Sequence, residues 1–331
     1  MSESRTESAS RALNGDGVVE VRGLTKNFGQ VRAVDDLSFT VQPGRVTGFL
    51  GPNGAGKTTT LRILLGLVRA TSGTATISGR PYAALPHPTR FVGAALEAAS
   101  FHPGRTARNH LLALAPQAGA SASRVDEVLE LVGLTDAAKR RVGGFSLGMR
   151  QRLGLATTLL GDPRVLVLDE PANGLDPEGI AWLRALLRHL AREGRTVLVS
   201  SHVLAEVQQT VDDVVIISRG RLAHSSTLAE LAQLAAPVVV VASPTALGLE
   251  RLIAERGWRR AHLPEGTTAA PGTAALEQVT LAEVGAAAFA AGVELHELTL
   301  HNPGLEKLFL ELTTRPAHPV DLGTAVTGGA A

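Results

Sequence analysis

Short apolar runs alternate with helix-like stretches between residues 18 and 234. The segments 18–24 and 35–41 alternate apolar and polar positions, which is typical of antiparallel strands with one buried face. Continuous apolar runs, typical of strands buried on both faces, follow at 45–51, 164–170, 196–201 and 212–220. The pattern predicts an α/β domain over 17–235, with a mainly parallel core sheet, an antiparallel β part and a mostly helical part.

The pattern changes after residue 235. A Pro-, Gly- and Thr-rich stretch at 263–275 separates shorter candidate elements, which are strands at 237–243, 277–281 and 293–300 and helices at 246–257 and 281–292. They predict a small α+β domain over 236–314. The polar segment 1–16 and the low-complexity segment 315–331 predict a disordered leader and a disordered tail.

Composition narrows the classes of partner. The net charge of +1 argues against bulk electrostatic binding, so we expect no nucleic-acid partner. The chain has no cysteine, which excludes disulfides and thiolate metal sites. No apolar run approaches the roughly 18–20 residues that span a bilayer. We therefore expect a soluble chain, to which a separate partner supplies any membrane part.

A glycine-rich turn, GPNGAGKT at 51–58, lies between a predicted strand and a predicted helix. Backbone N–H groups of such a loop wrap a phosphate, and the following helix directs the positive end of its dipole at the same phosphate. Lys57 adds a full positive charge, and Thr58 offers a hydroxyl to Mg²⁺. The sequence and its context predict a phosphate site with a bound magnesium ion.

Two carboxylates end the apolar strand in RVLVLDEP at 164–171. Beside the glycine-rich loop, Asp169 is expected to reach the Mg²⁺ ion, and Glu170 to act as a base for the attacking water. His202 ends another buried strand, where a lone histidine is more often structural than catalytic. Asp176 begins a predicted helix, and its local sequence favours a helix cap.

A second anion-binding feature lies in FSLGMRQRLGLA at 145–156, which looks like the start of a helix with Ser146 as its N-cap. Serine and glycine at a helix start favour an anion. This feature cannot hold a phosphate alone, so it indicates half of a site.

Taken in order, these motifs resemble those of an ATP-binding cassette (ABC) ATPase. GPNGAGKT is similar to the Walker A motif, FSLGM to the family signature, VLVLDE to Walker B, GLDP to the D-loop and SSH to the switch histidine, and NFGQ resembles the loop that stacks on adenine. The resemblance implies a P-loop NTPase cassette with an antiparallel β subdomain and a helical signature subdomain, followed by the small C-terminal domain.

The resemblance also implies a role for each matching residue. Glu170 and His202 are then catalytic, and Thr58, Asp169 and Glu97 surround the Mg²⁺ ion. ATP binding is carried by Phe28, Gly51, Pro52, Asn53, Gly54, Ala55, Gly56, Lys57, Thr58, Thr59, Ser146, Gly148 and Asp176.

Two departures from the family pattern are informative. The usual Leu-Ser-Gly-Gly-Gln signature is Phe-Ser-Leu-Gly-Met here, which keeps Ser146 and Gly148. Glu97 stands where a glutamine normally contacts the metal and the membrane partner. This glutamate, the signature and the ending at 298–313 resemble bacitracin-, lantibiotic- and multidrug-type export ATPases.

In this family two cassettes pack head to tail, and the signature of one contacts the ATP of the other. The resemblance thus implies a dimer of this chain at the cytoplasmic face of the membrane, bound to a separate polytopic permease and without direct contact with the cargo. It implies efflux of a drug, antibiotic or peptide. The alternative is a non-transport ABC ATPase in a soluble complex. A P-loop GTPase is disfavoured because no Asn-Lys-x-Asp motif follows the loop. For 236–314 we favour a packing or dimerisation module over a substrate or regulatory sensor, because the sequence at 237–313 shows no ligand-type cluster.

Overall fold

The computed structural model describes residues 17–96, 101–264, 270–301 and 304–314. The expected leader, the expected tail and Glu97 lie outside the described residues. The chain divides into two compact units. The first unit consists of two segments, the chain up to Ser226 and the chain from Glu311 onward. The second unit is Thr227–Leu310. The sequence places the boundary between its two predicted domains at 235/236. That the chain folds as two independent parts divided there stays a prediction.

The chain is divided into short elements. The strands are β1 (Val19–Phe28), β2 (Val31–Val41), β3 (Val46–Leu50), β4 (Ser72–Ile77), β5 (Val92–Ala95), β6 (Val165–Asp169), β7 (Thr196–Ser201), β8 (Asp213–Ser218), β9 (Arg221–Thr227), β10 (Val238–Ala242), β11 (Arg259–Ala261), β12 (Thr273–Glu277) and β13 (Glu297–His301). The α-helices are α1 (Lys57–Leu64), α2 (Pro88–Phe91), α3 (Ala107–Ala118), α4 (Ala122–Leu131), α5 (Leu147–Leu159), α6 (Pro177–Arg192), α7 (Leu204–Val207), α8 (Leu228–Leu234), α9 (Ala246–Arg256), α10 (Leu281–Ala290) and α11 (Gly304–Thr314). Within the described ranges, no helix combines the length and the apolar character needed to cross a bilayer.

Two sheets build the first unit. A three-stranded antiparallel sheet has the order β2-β1-β4, and a six-stranded sheet has the order β5-β6-β7-β3-β8-β9. The pairs from β5 to β8 are parallel. The predicted α/β fold with a mainly parallel sheet and an antiparallel part is confirmed.

The core lies between these two sheets, because each contributes one apolar face. Val167 and Leu198 of the parallel sheet share a buried cluster with Leu61 of α1. The rings of Phe39 on β2 and Phe49 on β3 stack with their centroids 5.1 Å apart. This packing fixes β3, and therefore the loop that follows it, against the neighbouring strands.

The second unit is a small α+β structure, as the sequence predicts. Its strands pair antiparallel in the order β11-β12-β10-β13, which with α9 and α10 gives the βαββαβ arrangement of ferredoxin-like folds. The strand expected at 277–281 instead spans Thr273–Glu277. Thr280 and Glu283 form a capping box that begins α10 at Leu281, so the extended chain cannot continue there.

Candidate active site

The loop at 51–56 joins β3 to α1 and depends on glycine at its two ends. Gly56 has a φ of 102°, and a Cβ atom there would lie 2.5 Å from the carbonyl oxygen of Ala33. A Cβ atom on Gly51 would clash with the carbonyl oxygen of Ile217. Backbone of the surrounding sheet therefore encloses the loop at both ends, and alanine cannot replace glycine at either without a backbone shift.

The other expected loop residues occupy different environments. Pro52, Asn53 and Gly54 are exposed, whereas Ala55 is buried and its carbonyl oxygen accepts a hydrogen bond of 2.9 Å from the N–H of Gly220. Thr59 lies in the first turn of α1. The exposed middle of the loop is thus the part open to a ligand.

The Lys57 side chain is only 6% exposed and folds back over the loop. Its Nζ atom donates to the carbonyl oxygens of Gly51, at 2.6 Å, and Pro52, at 3.3 Å. The same Nζ lies 3.5 Å from Oε1 of Glu170. The loop therefore surrounds the ammonium group of Lys57, and this group links the loop to Glu170, the acid expected to be catalytic.

Thr58 and Asp169 meet directly. The Thr58 hydroxyl donates a hydrogen bond to Oδ2 of Asp169 at 2.7 Å. Two oxygen atoms that could both bind a hard cation, one on α1 and one on β6, therefore lie side by side. Among the described residues no group of three or more His, Cys, Asp or Glu side chains is arranged to hold a metal. A hydroxyl and one carboxylate nevertheless suit Mg²⁺, which keeps several waters and takes its other ligands from substrate phosphates.

Glu170 follows β6 with a φ of 50°, an uncommon conformation for a residue that is not glycine. Its Oε2 atom lies 2.9 Å from Nδ1 of His202. The structure thus brings together the two residues expected to be catalytic, and His202 contacts an acid rather than filling the core. The positive φ of Glu170 has no signature in the sequence.

Ser200 is a member of the site that the sequence interpretation missed. The backbone N–H of Glu170 donates to the Ser200 hydroxyl at 2.9 Å, and that hydroxyl donates to Oδ1 of Asp169. The available signal was the serine pair at 200–201, which ends an otherwise apolar strand beside the acids.

Both expected helix caps are present. Ser146 caps α5, where its hydroxyl accepts from the N–H of Met149 at 3.2 Å. Asp176 caps α6, where its carboxylate accepts from the N–H of Gly179 at 2.8 Å. A Cβ atom on Gly148 would be in ordinary contact, so this glycine is not required by packing within the chain. The ATP contacts expected of these residues stay predictions.

A cleft of about 450 Å³ in the first unit lies between the acids at the end of β6 and the start of α5. Thr58, Asp169 and Glu170 line it on one side, and Leu147 and Gln151 of α5 line it on another. The acids and the threonine are therefore accessible from the side that carries the signature helix.

Phe28, the expected adenine platform, lies at the end of β1 and is 50% exposed. Nζ of Lys26 lies 4.7 Å from the centroid of its ring. The Lys26 ammonium occupies one face of the exposed ring, and a base can stack on an aromatic face that stays open.

Comparisons with known proteins agree with this geometry. The family model described as ABC transporter matches residues 34–173. The bacitracin transport ATP-binding protein BcrA of Bacillus licheniformis is 47% identical over 208 residues, which cover 62% of this chain and 68% of that protein. The chain belongs to the ABC transporter family. An uncharacterized ABC transporter ATP-binding protein of Bacillus subtilis, YdbJ, is 34% identical over 305 residues, or 90% of this chain and 96% of that protein.

A solved structure of the ATP-binding subunit of an ABC transporter is also similar. It has a TM-score of 0.60 and 27% identity, and the match covers 66% of this chain and 92% of that one. The ABC cassette fold and its ATP-binding and ATPase character, which the motifs predict, are thereby confirmed. The match to YdbJ extends beyond the cassette, so the second unit also has a counterpart in that relative.

Proposed function

We propose that this ABC ATPase energises export through a separate membrane permease at the cytoplasmic face of the membrane. The ATPase part of the proposal is carried by three contacts at one end of the parallel strands, which are Thr58–Asp169, Lys57–Glu170 and His202–Glu170. These residues lie at the ends of two neighbouring strands, β6 and β7, and at the start of α1 after the loop that follows β3, where ligands bind in open α/β sheets. The export part is supported by the similarity to transport ATP-binding proteins.

Each side chain has a distinct task in this proposal. Thr58 and Asp169 would hold Mg²⁺, which when bound supplies positive charge that stabilises the transferring phosphoryl group. Lys57 contributes its charge to the phosphates. Glu170 accepts the proton of the attacking water, and His202 holds Oε2 of that acid in place.

The active form that we propose is a head-to-tail dimer of this chain. Ser146 and Gly148 lie at the N-terminus of α5, where free backbone N–H groups and the helix dipole favour an anion. The hydroxyl of Ser146 accepts the cap hydrogen bond and keeps its own O–H available as a donor. Each signature would then complete the ATP site of the partner.

Linked dimers test this arrangement with two changes, Lys57→Ala in the loop and Ser146→Arg in the signature. If one half carries each change, a head-to-tail dimer keeps one whole composite site and occludes ATP there. If both changes lie in the same half, each composite site has one defect and neither occludes ATP. Occlusion only in the second arrangement would show that the phosphate contacts are made within one chain.

For the cargo we propose a drug, an antibiotic or a peptide of the bacitracin type. The support is the similarity to BcrA, which is a bacitracin transport ATP-binding protein. A strain with the Glu170→Gln variant should become more sensitive to bacitracin or to another peptide antibiotic. The matched variant Glu178→Gln, an exposed glutamate of α6, should not change sensitivity. Unchanged sensitivity to bacitracin and to other peptide antibiotics would contradict the proposed cargo class without affecting the ATPase assignment.

The permease is tested separately. Tagged chain extracted from membranes with detergent should migrate as a complex with a polytopic membrane protein. Recovery of the chain only in a water-soluble assembly would favour the alternative of a non-transport ABC ATPase.

A further inference from the structure

Ser200 is completely buried on β7, the strand between the one that carries Asp169 and the one that leads to the phosphate loop. Parallel pairing places Ser200 opposite Asp169 on β6 and opposite Phe49 on β3. The serine thus lies where the two halves of the expected active site meet.

The Ser200 hydroxyl forms two hydrogen bonds with consecutive residues of the neighbouring strand. It donates its proton to Oδ1 of Asp169 and accepts the backbone N–H of Glu170 at 2.9 Å. Oδ2 of the same aspartate accepts from Thr58 at 2.7 Å. Asp169 is therefore held by one donor on each oxygen, which fixes the plane of its carboxylate.

The second hydrogen bond acts on the acid that follows. Glu170 has a φ of 50°, a conformation that persists in a residue other than glycine only where its surroundings stabilise it. The bond from its N–H to the Ser200 hydroxyl is one such stabilising contact at this residue. Its carboxylate leaves this constrained backbone to reach both Lys57 and His202.

We propose that Ser200 is a positioning residue that couples the metal-binding carboxylate of Asp169 to the catalytic carboxylate of Glu170 through one hydroxyl. The proposal rests on the roles proposed above for these two acids. Loss of the hydroxyl frees the Asp169 carboxylate to rotate and leaves the N–H of Glu170 without this acceptor. Removal of a hydrogen-bond partner of a metal ligand typically lowers metal affinity or activity about 10–100-fold.

The same sheet provides a matched control for the loss of a buried serine hydroxyl. Ser218 on β8 is also buried, and its hydroxyl donates to the carbonyl oxygen of Thr313 at 2.6 Å rather than to an acid. Ser218→Ala therefore measures the structural cost of removing such a hydroxyl from this sheet.

The test compares Ser200→Ala, Ser200→Thr and Ser218→Ala with the wild-type protein. Mn²⁺ binding is followed by electron paramagnetic resonance with a non-hydrolysable ATP analogue present, and ATPase rates are measured against Mg²⁺ concentration. In Ser200→Ala, the Mn²⁺ concentration that half-saturates binding and the Mg²⁺ concentration that gives half-maximal ATPase activity should both rise about 10–100-fold. Ser200→Thr keeps the hydroxyl and should restore metal binding to within about threefold of wild type, and Ser218→Ala should bind metal as wild type does.

The outcomes separate this proposal from the ones on which it rests. Wild-type metal affinity in Ser200→Ala would overturn the positioning role. If that variant does not fold, Ser200→Cys, which keeps the size but forms weaker hydrogen bonds, should show the same loss, and normal metal affinity there would also overturn it. A wild-type protein that binds no Mn²⁺ with the analogue would instead contradict the metal role of Asp169.

Discussion

Replacing Glu170 with glutamine keeps the size of the side chain but removes the oxygen that can accept a proton. The amide still reaches Nδ1 of His202, which the carboxylate contacts at 2.9 Å. The charge attraction to Lys57, over 3.5 Å, is lost. At an effective dielectric constant of about 20, that attraction amounts to about 5 kcal/mol before desolvation is subtracted.

The structural cost of this change is much smaller than that gross attraction. Lys57 keeps its bonds to the carbonyl oxygens of Gly51 and Pro52, so its ammonium group is not left without partners. We expect the free energy of unfolding to fall by about 1–2 kcal/mol, out of the roughly 5–15 kcal/mol typical of proteins. Such a change leaves the protein folded.

The catalytic cost is larger. Loss of a positioned general base lowers the rate about 10²–10⁴-fold, which corresponds to about 3–5 kcal/mol of activation free energy. Phosphate release at saturating ATP measures this loss, and binding of a fluorescent ATP analogue should stay within about threefold of wild type, since the loop is intact. Glu178→Gln serves as the matched control. Steady-state hydrolysis near the wild-type rate in Glu170→Gln would refute its assignment as the base.

Three further predictions concern other residues. Lys57→Ala should weaken equilibrium binding of a fluorescent ATP analogue at least tenfold, because the ammonium charge acts directly on the phosphates; unchanged affinity would mean that the loop does not hold the nucleotide. Glu97→Gln restores the usual family residue, so the isolated ATPase should stay active while the ratio of ATP turnover with and without the permease changes; an unchanged ratio would make Glu97 a passive residue. Burial, aided by the positive charge of Arg105, lowers the pKa of His110 below 6.5. Between pH 6.5 and that lower pKa the unfolded state binds more protons, so acidification should destabilise the wild-type protein more than His110→Leu in urea titrations at pH 7.5 and 5.5. Equal pH dependence of the two proteins would contradict this.

The sequence predicted the cassette well, because its motifs are local. The strand, the glycine-rich turn and the helix that place Lys57 and Thr58 follow one another directly in the chain. The same holds for Asp169 and Glu170 at the end of one apolar strand. The cap at Ser146 follows from side-chain chemistry within a single turn.

What the sequence could not show depends on register and on backbone conformation. Ser200 acts on Asp169 across a strand pair, and the register of that pair follows from the packing of the whole sheet. The positive φ of Glu170 has no residue-type signal, since glutamate rarely adopts it. In the second unit, the start of β12 lies inside the Pro-, Gly- and Thr-rich stretch 263–275, which predicts a loop, although Ala274 and Ala275 of this strand are buried.

The return of the chain to the first unit after Leu310 has a practical consequence for dissecting the protein. The second unit is connected to the first at both of its ends, so it is an insertion in the first unit's chain and not a C-terminal extension of it. A truncation after residue 235 would also delete Thr313 and leave the buried hydroxyl of Ser218 without its acceptor. An isolated cassette that keeps this contact must therefore join Ser226 to Glu311 through a linker, and a loss of activity on simple truncation would not identify the second unit as a regulator.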